Sequence, residues 1–500
     1  MSARAARACG PRSSPTDDAG RLSPRDALPE AIAPAALLAR LPPSLRAGFE
    51  VACRLLEAGW ETYLVGGVVR DVLLGRTPHD LDIVTAAPPD EVLRLFPRTV
   101  SLGAAFGVVG VVIGDRTFQV ATFRREGPYH DGRRPSAVEF AGVREDVERR
   151  DFTVNALLYD PRTGTVLDFV GGRADLAARL VRTVGDPAVR FAEDRLRLLR
   201  AVRLAAQLEF TVEPGTLEAI CRLAPTVATV SGERIRDELQ RLLTAPGRAS
   251  GLRLLRATGL LAALLPEVDA MAGVSQPPAF HPEGDVFTHT CLALEFLREP
   301  TPTLALATLL HDVGKPLTMT VSDRIRFHGH AEAGAGLAER ICRRLRLPAA
   351  QRRAVVALVR DHQRVGDVPK MRPGRARQFL RRDDIHDLLE LYRADCLASH
   401  GDLTVYERVV ALLAAVQAEA ARPRLLTGHD LIAMGYRPGP QFATILDAVE
   451  DARAEGLVST PEEARAMVRA RFPAGATDGG AEPGGSTTRR GRPGGQDDGT

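Results

Sequence analysis

Lysine is almost missing from this 500-residue chain, which carries it only at Lys315 and Lys370. Arginine supplies the other 64 of the 66 basic residues (66 minus 2). Its planar fork suits bidentate phosphate contacts, but a GC-rich genome produces the same bias, so the excess alone decides nothing. Cysteine is sparse too, at positions 53, 221, 291, 342, 396 and 9, with no C-x-x-C pair. Neither a disulfide framework nor a structural zinc site is indicated, and the pattern fits a reducing compartment. No apolar run reaches membrane-spanning length, and MSARAARACGPRSSP has no hydrophobic core of a signal peptide. A cytoplasmic protein with no membrane partner is expected. Net charge is only +3, so a polyanionic partner has to be held by local basic surface.

Five hundred residues with 45% hydrophobic content imply roughly three domains with real cores. Residues 1 to about 35 and 473 to 500 are rich in Gly, Pro, Ser, Arg and Asp and have little to bury, so both ends are expected to be disordered.

The most informative stretch is GGVVRDVLLGRTPHDLD, residues 66 to 82. Tyr63-Leu64-Val65 has strand character and ends on Gly66-Gly67, where no side chain keeps backbone amides from a phosphate. Val68 to Leu74 is spaced as a short helix whose first turn carries Arg70. In HDLDIV, a period of two sets Asp80 and Asp82 on one face and Leu81 and Ile83 on the buried one. Paired carboxylates suit Mg2+, and a pair of such ions can activate a sugar hydroxyl while neutralising a triphosphate.

Two further segments extend this constellation. RRDFTVNALLYD, 149 to 160, alternates as another strand would, with Arg150 placed to clamp a triphosphate. EDRLRLLRAVRLAAQLEF, 193 to 210, reads as one helix in which Asp194 and Arg197, three apart, can meet a base together. A carboxylate accepting from an exocyclic amine beside an arginine donor suits cytosine and adenine. Arg200 and Arg203 continue the spacing and drift round the helix toward phosphate or stacking positions.

GGVVRD, HDLD, RRDFTVNA, DFVGGRADL (168 to 176) and EDRLRLLR together resemble the class II tRNA nucleotidyltransferase and bacterial poly(A) polymerase family, in order and spacing, over about residues 45 to 245. The resemblance implies an α+β chain. A polymerase-beta-type nucleotidyltransferase head (36–180) would be followed by an all-α neck (181–280), an HD helical domain (281–400) and a helical tRNA-binding tail (401–472). It implies that Gly67, Arg70 and Arg150 touch nucleotide phosphates, that Asp80 and Asp82 are catalytic Mg2+ ligands, and that Asp194, Arg197, Arg200 and Arg203 recognise the nucleotide. Arg195 stands where many relatives have proline. Asp151 and Glu126 are candidates for a third carboxylate. The implied activity is untemplated addition of CCA to tRNA 3' ends from CTP and ATP. SLGAAFGVVGVVI (101 to 113) resembles the CCA-adding branch, and RREGPYHDGRRPS (124 to 136) is a full-length, turn-rich loop of the kind that CC-only relatives shorten. Addition of A alone, poly(A) synthesis, or a phosphohydrolase with an RNA-binding head are the alternatives.

Downstream, FTHTCLALEFL carries His289, LALATLLHDVGK carries His311 and Asp312, and LYRADCLASH carries Asp395. These resemble the HD phosphohydrolase superfamily. Each polar group sits in an apolar helical run, so it needs the others or a transition metal for compensation. FHGH and RDHQR add His330 and His362, which allow a second metal if they enter the same bundle. In the tail, RPGPQFATILDAV sets Pro-Gly-Pro before a helix, a geometry that offers free amides to a phosphate backbone.

Overall fold

The computed structural model describes residues 28–103, 107–127, 138–278, 281–420, 423–454 and 456–473. All but the first residue of the expected disordered C-terminus falls outside these residues, as do the tip of the 124–136 loop and all but the last residues of the expected disordered N-terminus. Residues 28 to 35 belong to the folded head. Leu28 and Ile32 are buried, Ile32 N–H donates to the Gly164 carbonyl at 2.7 Å, and the Tyr159 hydroxyl donates to the Ile32 carbonyl at 2.8 Å.

The head is built on strands β1 (Thr62–Val65), β2 (Asp82–Thr85), β3 (Thr99–Gly103), β4 (Val108–Ile113), β5 (Arg116–Thr122), β6 (Arg124–Glu126), β7 (Val138–Phe140), β8 (Leu158–Tyr159) and β9 (Val166–Leu167). Seven of them form one sheet in the order β3-β4-β5-β2-β1-β8-β9, and β6 and β7 pair as a separate ribbon. β2 runs antiparallel to β1 and parallel to β5, with Val65 opposite Asp82. Leu81 and Ile83 are buried, as a strand of period two requires. Residues 149 to 160 do not make the continuous strand that their alternation predicts. Thr153–Asn155 is a 3-10 turn, and only Leu158–Tyr159 joins the sheet. The turn is held from outside: the Asp168 carboxylate accepts from Gly172 and Arg173 N–H at 2.9 Å, starting the helix Gly172–Ala177. A Cβ on Gly172 would lie 2.3 Å from the Thr153 carbonyl, so only glycine lets this helix and turn meet.

The segment read as one helix from 193 to 210 is two, Pro187–Glu193 and Leu196–Leu208, with Asp194 extended at the joint (φ −142°). Its partner in the neck is the helix Gly232–Leu243. The next set includes Val286–Phe296, Pro302–Leu310, His330–Arg344 and Ala349–Asp361. Pro302–Leu310 is buried on every side from Leu304 onward, which explains its uninterrupted apolar sequence. None of the described helices is long and apolar enough to cross a membrane.

The chain divides into two compact units. One holds the described residues to Gly366 together with His386–Tyr406; the other holds Asp367–Ile385 and the described residues from Glu407. The second unit therefore takes an excursion from within the segment expected to be wholly HD domain. It has its own core of Leu426, Leu431, Tyr436, Ile445, Leu446, Val449, Ala464 and Val468. Its helix Gln441–Ala454 follows the Pro-Gly-Pro expected to start it.

Gly314 sets one spacing in the first unit, because a Cβ there would lie 2.2 Å from the His330 carbonyl and 2.6 Å from Gly334 N. Gly314→Ala should therefore force the helix His330–Arg344 off the 311–315 turn, at a cost of about 1–3 kcal/mol. Denaturant unfolding measures this, and an unchanged midpoint would refute that role for Gly314.

Candidate functional site

At the end of β1 the chain turns through Gly66 (φ +79°) into the seven-residue helix Gly67–Leu73. Asp80 stands just before β2, and its Oδ1 is 3.1 Å from where a Gly67 Cβ would be. Asp82 Oδ2 is 3.9 Å from the corresponding point on Gly66. Both carboxylates thus face a corner that glycine keeps open. Burial first, then the charge of Asp80, push the Asp82 carboxyl up to about 6, against the opposing pull of Arg150. An oxygen-only pair strained in this way matches a hard divalent cation, which would relieve the repulsion and the desolvation together.

Arg70 is in the same corner but is tied down, Nε donating to Asp71 at 2.8 Å and Nη1 to Asn155 at 2.6 Å. Arg150 Nη2 donates to Asp146 at 3.0 Å, while its buried Nε has no partner among the described residues. Asp146 is a hub that sequence reasoning missed. Its side chain is 1% exposed and also takes Arg149 Nη2 at 2.6 Å. Burial alone would raise its carboxyl, but Arg150 and Arg149 outweigh it and hold the group below the usual carboxylate range. The signal was present in VREDVERR, where an acid precedes two arginines at helical spacing. The two candidates for a third carboxylate are both engaged by arginines: Asp151 by Arg200 at 2.8 Å, and Glu126 by Arg124 at 2.8 Å and Arg149 at 3.0 Å.

Asp194 and Arg197, expected to meet a base together, each hold a protein partner in this structure. Arg234, from the helix Gly232–Leu243, grips Asp194 at 2.7 and 3.1 Å, and Asp194 Oδ1 also accepts from Leu196 N–H at 3.1 Å. Arg197, 9% exposed, pairs with Glu193 and donates to the carbonyl of Arg149 at 3.4 Å. The Arg197 N–H still donates to the Asp194 carbonyl at 2.9 Å, so the two residues stay adjacent at the helix start while their side chains hold other partners. Arg200 and Arg203 do not run free toward phosphate or stacking positions. Arg200 meets Asp151, and Arg203 meets Glu238 at 2.9 Å and Gln207 at 2.8 Å. These largely enclosed cations need counter-charges, and they tie the helix to the head on one side and to the neck on the other.

The second centre gathers every residue expected of it. His289 Nε2 lies 3.0 Å from Asp395 Oδ1 and 3.3 Å from His311 Nε2. Asp312 Oδ2 is 3.2 Å from His311 Nε2, and its Oδ1 is 3.5 Å from His330 Nε2 and 3.9 Å from His362 Nε2. Asp312 is therefore common to two groups of donors, His289–His311–Asp395 and His330–His362, which suits a pair of metal ions sharing one carboxylate. The outer nitrogens are oriented: His311, His330 and His362 Nδ1 meet backbone carbonyls at 2.7–2.8 Å, and His289 Nδ1 meets Glu283 at 2.8 Å. Each ring thus turns Nε2 inward, the arrangement a ligating imidazole needs. Burial, then His311, lowers His362 to about 4, keeping it in the neutral form that binds metal. Glu283 and Lys315 were not foreseen. Lys315 Nζ sits 2.6 Å from Asp312 Oδ2 and explains the lysine of HDVGK.

A sheet-based head with a glycine corner and paired acids, joined in one unit to a helical histidine–aspartate cluster, defines a nucleotidyltransferase with an HD domain. Residues 62–182 match the family described as the Poly A polymerase head domain, 209–271 the Probable RNA and SrmB-binding site of polymerase A, and 286–399 the HD domain. The CC-adding tRNA nucleotidyltransferase of Thermus thermophilus is 37% identical over 429 residues, 82% of this chain and 93% of that protein. The CCA-adding enzyme of Geobacillus thermodenitrificans is 45% identical over 219 residues, 44% of this chain and 54% of that enzyme, so the chain matches about half the length of such relatives. Among solved structures, the Bacillus stearothermophilus CCA-adding enzyme in complex with CTP superposes with a TM-score of 0.63 at 28% identity, covering 86% of this chain and 98% of that one. The chain belongs to the tRNA nucleotidyltransferase and poly(A) polymerase family.

Asp146→Asn should strand two arginines and cost about 3 kcal/mol at neutral pH. Because the folded carboxyl is held below its ordinary value, this contribution is complete above about pH 4 and fades as pH falls through the folded value. The gap between the unfolding midpoints of the two proteins should therefore narrow steadily as the pH falls below the ordinary carboxylate range. A gap that stays constant through the acid range would remove the charge from the explanation.

Proposed function

We propose that this enzyme adds C, C and A to tRNA 3' ends from CTP and ATP without a nucleic-acid template, in the cytoplasm. The observation that carries the reading is the Asp80–Asp82 pair facing the Gly66-Gly67 corner in the same unit as the Asp194–Arg197 joint. Asp80 and Asp82 would hold Mg2+, which when bound supplies charge neutralisation and a more acidic primer hydroxyl. The protein positions the rest. Gly67 leaves room for the phosphates, Arg150 donates to them from its unpartnered Nε, and Asp194 and Arg197 read the base edge once Arg234 and Glu193 yield. The terminal hydroxyl attacks the α-phosphate and pyrophosphate leaves. The CTP bound in the Bacillus stearothermophilus CCA-adding enzyme supports this nucleotide as a partner, and the match to the Thermus thermophilus tRNA nucleotidyltransferase supports tRNA.

A CC-only product is the second reading, because the relative matched over 93% of its length is a CC-adding enzyme. Purified protein given tRNA without its CCA end, plus labelled CTP and ATP, separates the outcomes on a sequencing gel. Products ending in CCA are expected; CC, a single A or long poly(A) would each reassign the subtype. Asp80→Ala should lower incorporation at least about a hundredfold with the thermal midpoint kept, and normal incorporation by that variant would falsify the metal assignment.

In the HD domain, His289, His311, Asp312 and Asp395 would hold one divalent transition metal, and Asp312, His330 and His362 a second, for phosphoester hydrolysis. Metal analysis after loading with Mn2+, Co2+ or Ni2+ should find up to two ions per chain. His311→Ala should lose them along with any hydrolysis of 2',3'-cyclic nucleotides, while CTP incorporation persists. Equal metal retention by this variant would leave the cluster a purely structural one.

A further inference from the structure

A helix leaves the carbonyls of its last turn without donors of its own, so something else must take them. At the end of the helix Leu196–Leu208, whose start carries the Asp194–Arg197 joint, each one is taken. The Ala205 carbonyl accepts from Glu209 N–H and, at 3.0 Å, from Phe210 N–H. The Ala206 carbonyl accepts from Gly247 N–H at 3.0 Å, on the neck side. The last two, of Gln207 and Leu208, accept from the head: Arg76 Nη1 donates to the first at 3.2 Å and Nη2 to the second at 3.1 Å. Among the described residues these two carbonyls have no other donor, and the Arg76 guanidinium has no carboxylate partner.

Arg76 is itself pinned to the catalytic corner. Gly75 (φ +69°) donates its N–H to the Val72 carbonyl at 3.1 Å, and Arg76 N–H donates to the Asp71 carbonyl at 2.7 Å. This bond pair closes the helix Gly67–Leu73 through a left-handed residue, which is why glycine stands at 75. The same segment then runs on to Asp80. One guanidinium therefore joins the far ends of two helices. The start of the first, about 10 Å away at 1.5 Å per residue, follows the glycine corner, and the start of the second, about 20 Å away, carries the joint. The other hydrogen-bonded or ionic ties from the second helix to the head, among the described residues, run through Arg197 to the Arg149 carbonyl and Arg200 to Asp151. Those two side chains belong to the set marked for nucleotide recognition, so a bound nucleotide disturbs them. Arg76 lies outside that set, and an exchange of partners at the joint leaves its hold in place.

We propose that Arg76 is a positioning residue for nucleotide addition: by capping the helix Leu196–Leu208 from the segment that leads to Asp80, it fixes the tilt of the base-reading joint relative to the two carboxylates. It touches neither nucleotide nor metal ion and acts through the helix. The role rests on the nucleotide-addition reading above and deepens it with a specificity determinant far from the base. The correct base profits from both Asp194 and Arg197 only when they meet its edge at the right angle, so a swung joint costs the correct nucleotide more than a wrong one. Stability depends on Arg76 much less, because its side chain is exposed and water replaces its contacts at small cost.

The test uses full-length protein and tRNA lacking its CCA end, with kcat and KM measured separately for CTP and for UTP. Arg76→Ala should lower kcat for CTP about tenfold and narrow the CTP-to-UTP ratio of kcat/KM about fivefold. KM for tRNA should stay within about twofold, and the thermal midpoint within a few degrees, of the parent. Arg76→Lys, which brings one point charge to the same carbonyls, should recover part of both losses. Arg344→Ala is the control for a purely structural loss, because Arg344 likewise reaches a backbone carbonyl, that of Leu264, and also pairs with Glu267. That variant should keep the parent's ratio. An unmoved CTP-to-UTP ratio in Arg76→Ala, whether or not kcat falls, would overturn the positioning role while leaving nucleotide addition intact. No incorporation by the parent would overturn the addition reading and the role built on it together.

Discussion

Two carboxylates held in one corner with no side chain between them are the constraint on which the head depends. Asp80 and Asp82 repel each other, and burial makes the second harder to ionise, so the arrangement is unfavourable in the protein alone. It persists because the sheet imposes it: Asp82 is locked opposite Val65 in β2 and paired through Gln119 to β5. Gly66 and Gly67 are the complement of that locking, since any Cβ at Gly67 would press on Asp80. A strained, cation-ready pair at the start of a central strand is how a fold stores the capacity for phosphoryl chemistry.

Arginine connects this corner to the rest of the first unit. Asp146 binds Arg149 and Arg150; the Arg149 carbonyl receives Arg197; Asp151 receives Arg200; and Glu238 receives Arg203. The same side chains that the family resemblance marks for nucleotide recognition are therefore also the bolts between the head, the helix Leu196–Leu208 and the neck. Their ion pairs are partly enclosed, so any of these groups must leave a protein partner before it takes a ligand. Asp194, already held through both oxygens by Arg234, shows this most clearly. Recognition in such a network is an exchange of partners, so its selectivity is the difference between two charge-assisted contacts.

The HD cluster uses another solution to the same problem. Here histidine nitrogens and carboxylates converge in a largely buried cluster, Asp312 lies between two donor groups, and backbone carbonyls or Glu283 orient the outer nitrogens. Gly314 brings the turn carrying His311 and Asp312 against the helix carrying His330. The motif spelled HDVGK thus contains two members of the cluster, a contact point and an internal cation, each at its place for a separate reason.

Much of this was legible along the chain because it depends on local periodicity. The strand at 62–65, the helix after Gly67, the face shared by Asp80 and Asp82, and the apolar helices bearing His289 and His311 follow from spacings of two or of three to four. Residues 149–160 defeated that reasoning, since Gly172 and Asp168, far along the chain, bend an alternating segment into a turn. Asp194 defeated it too, for a helix break is decided by what packs on either side of the joint. The amino-acid order by itself determined which residue types exist at chemical spacing and which faces turn inward. Only the tertiary structure decided who pairs with whom, because a buried charge takes whichever opposite charge the packing brings within reach, and that neighbour is set by elements distant in sequence.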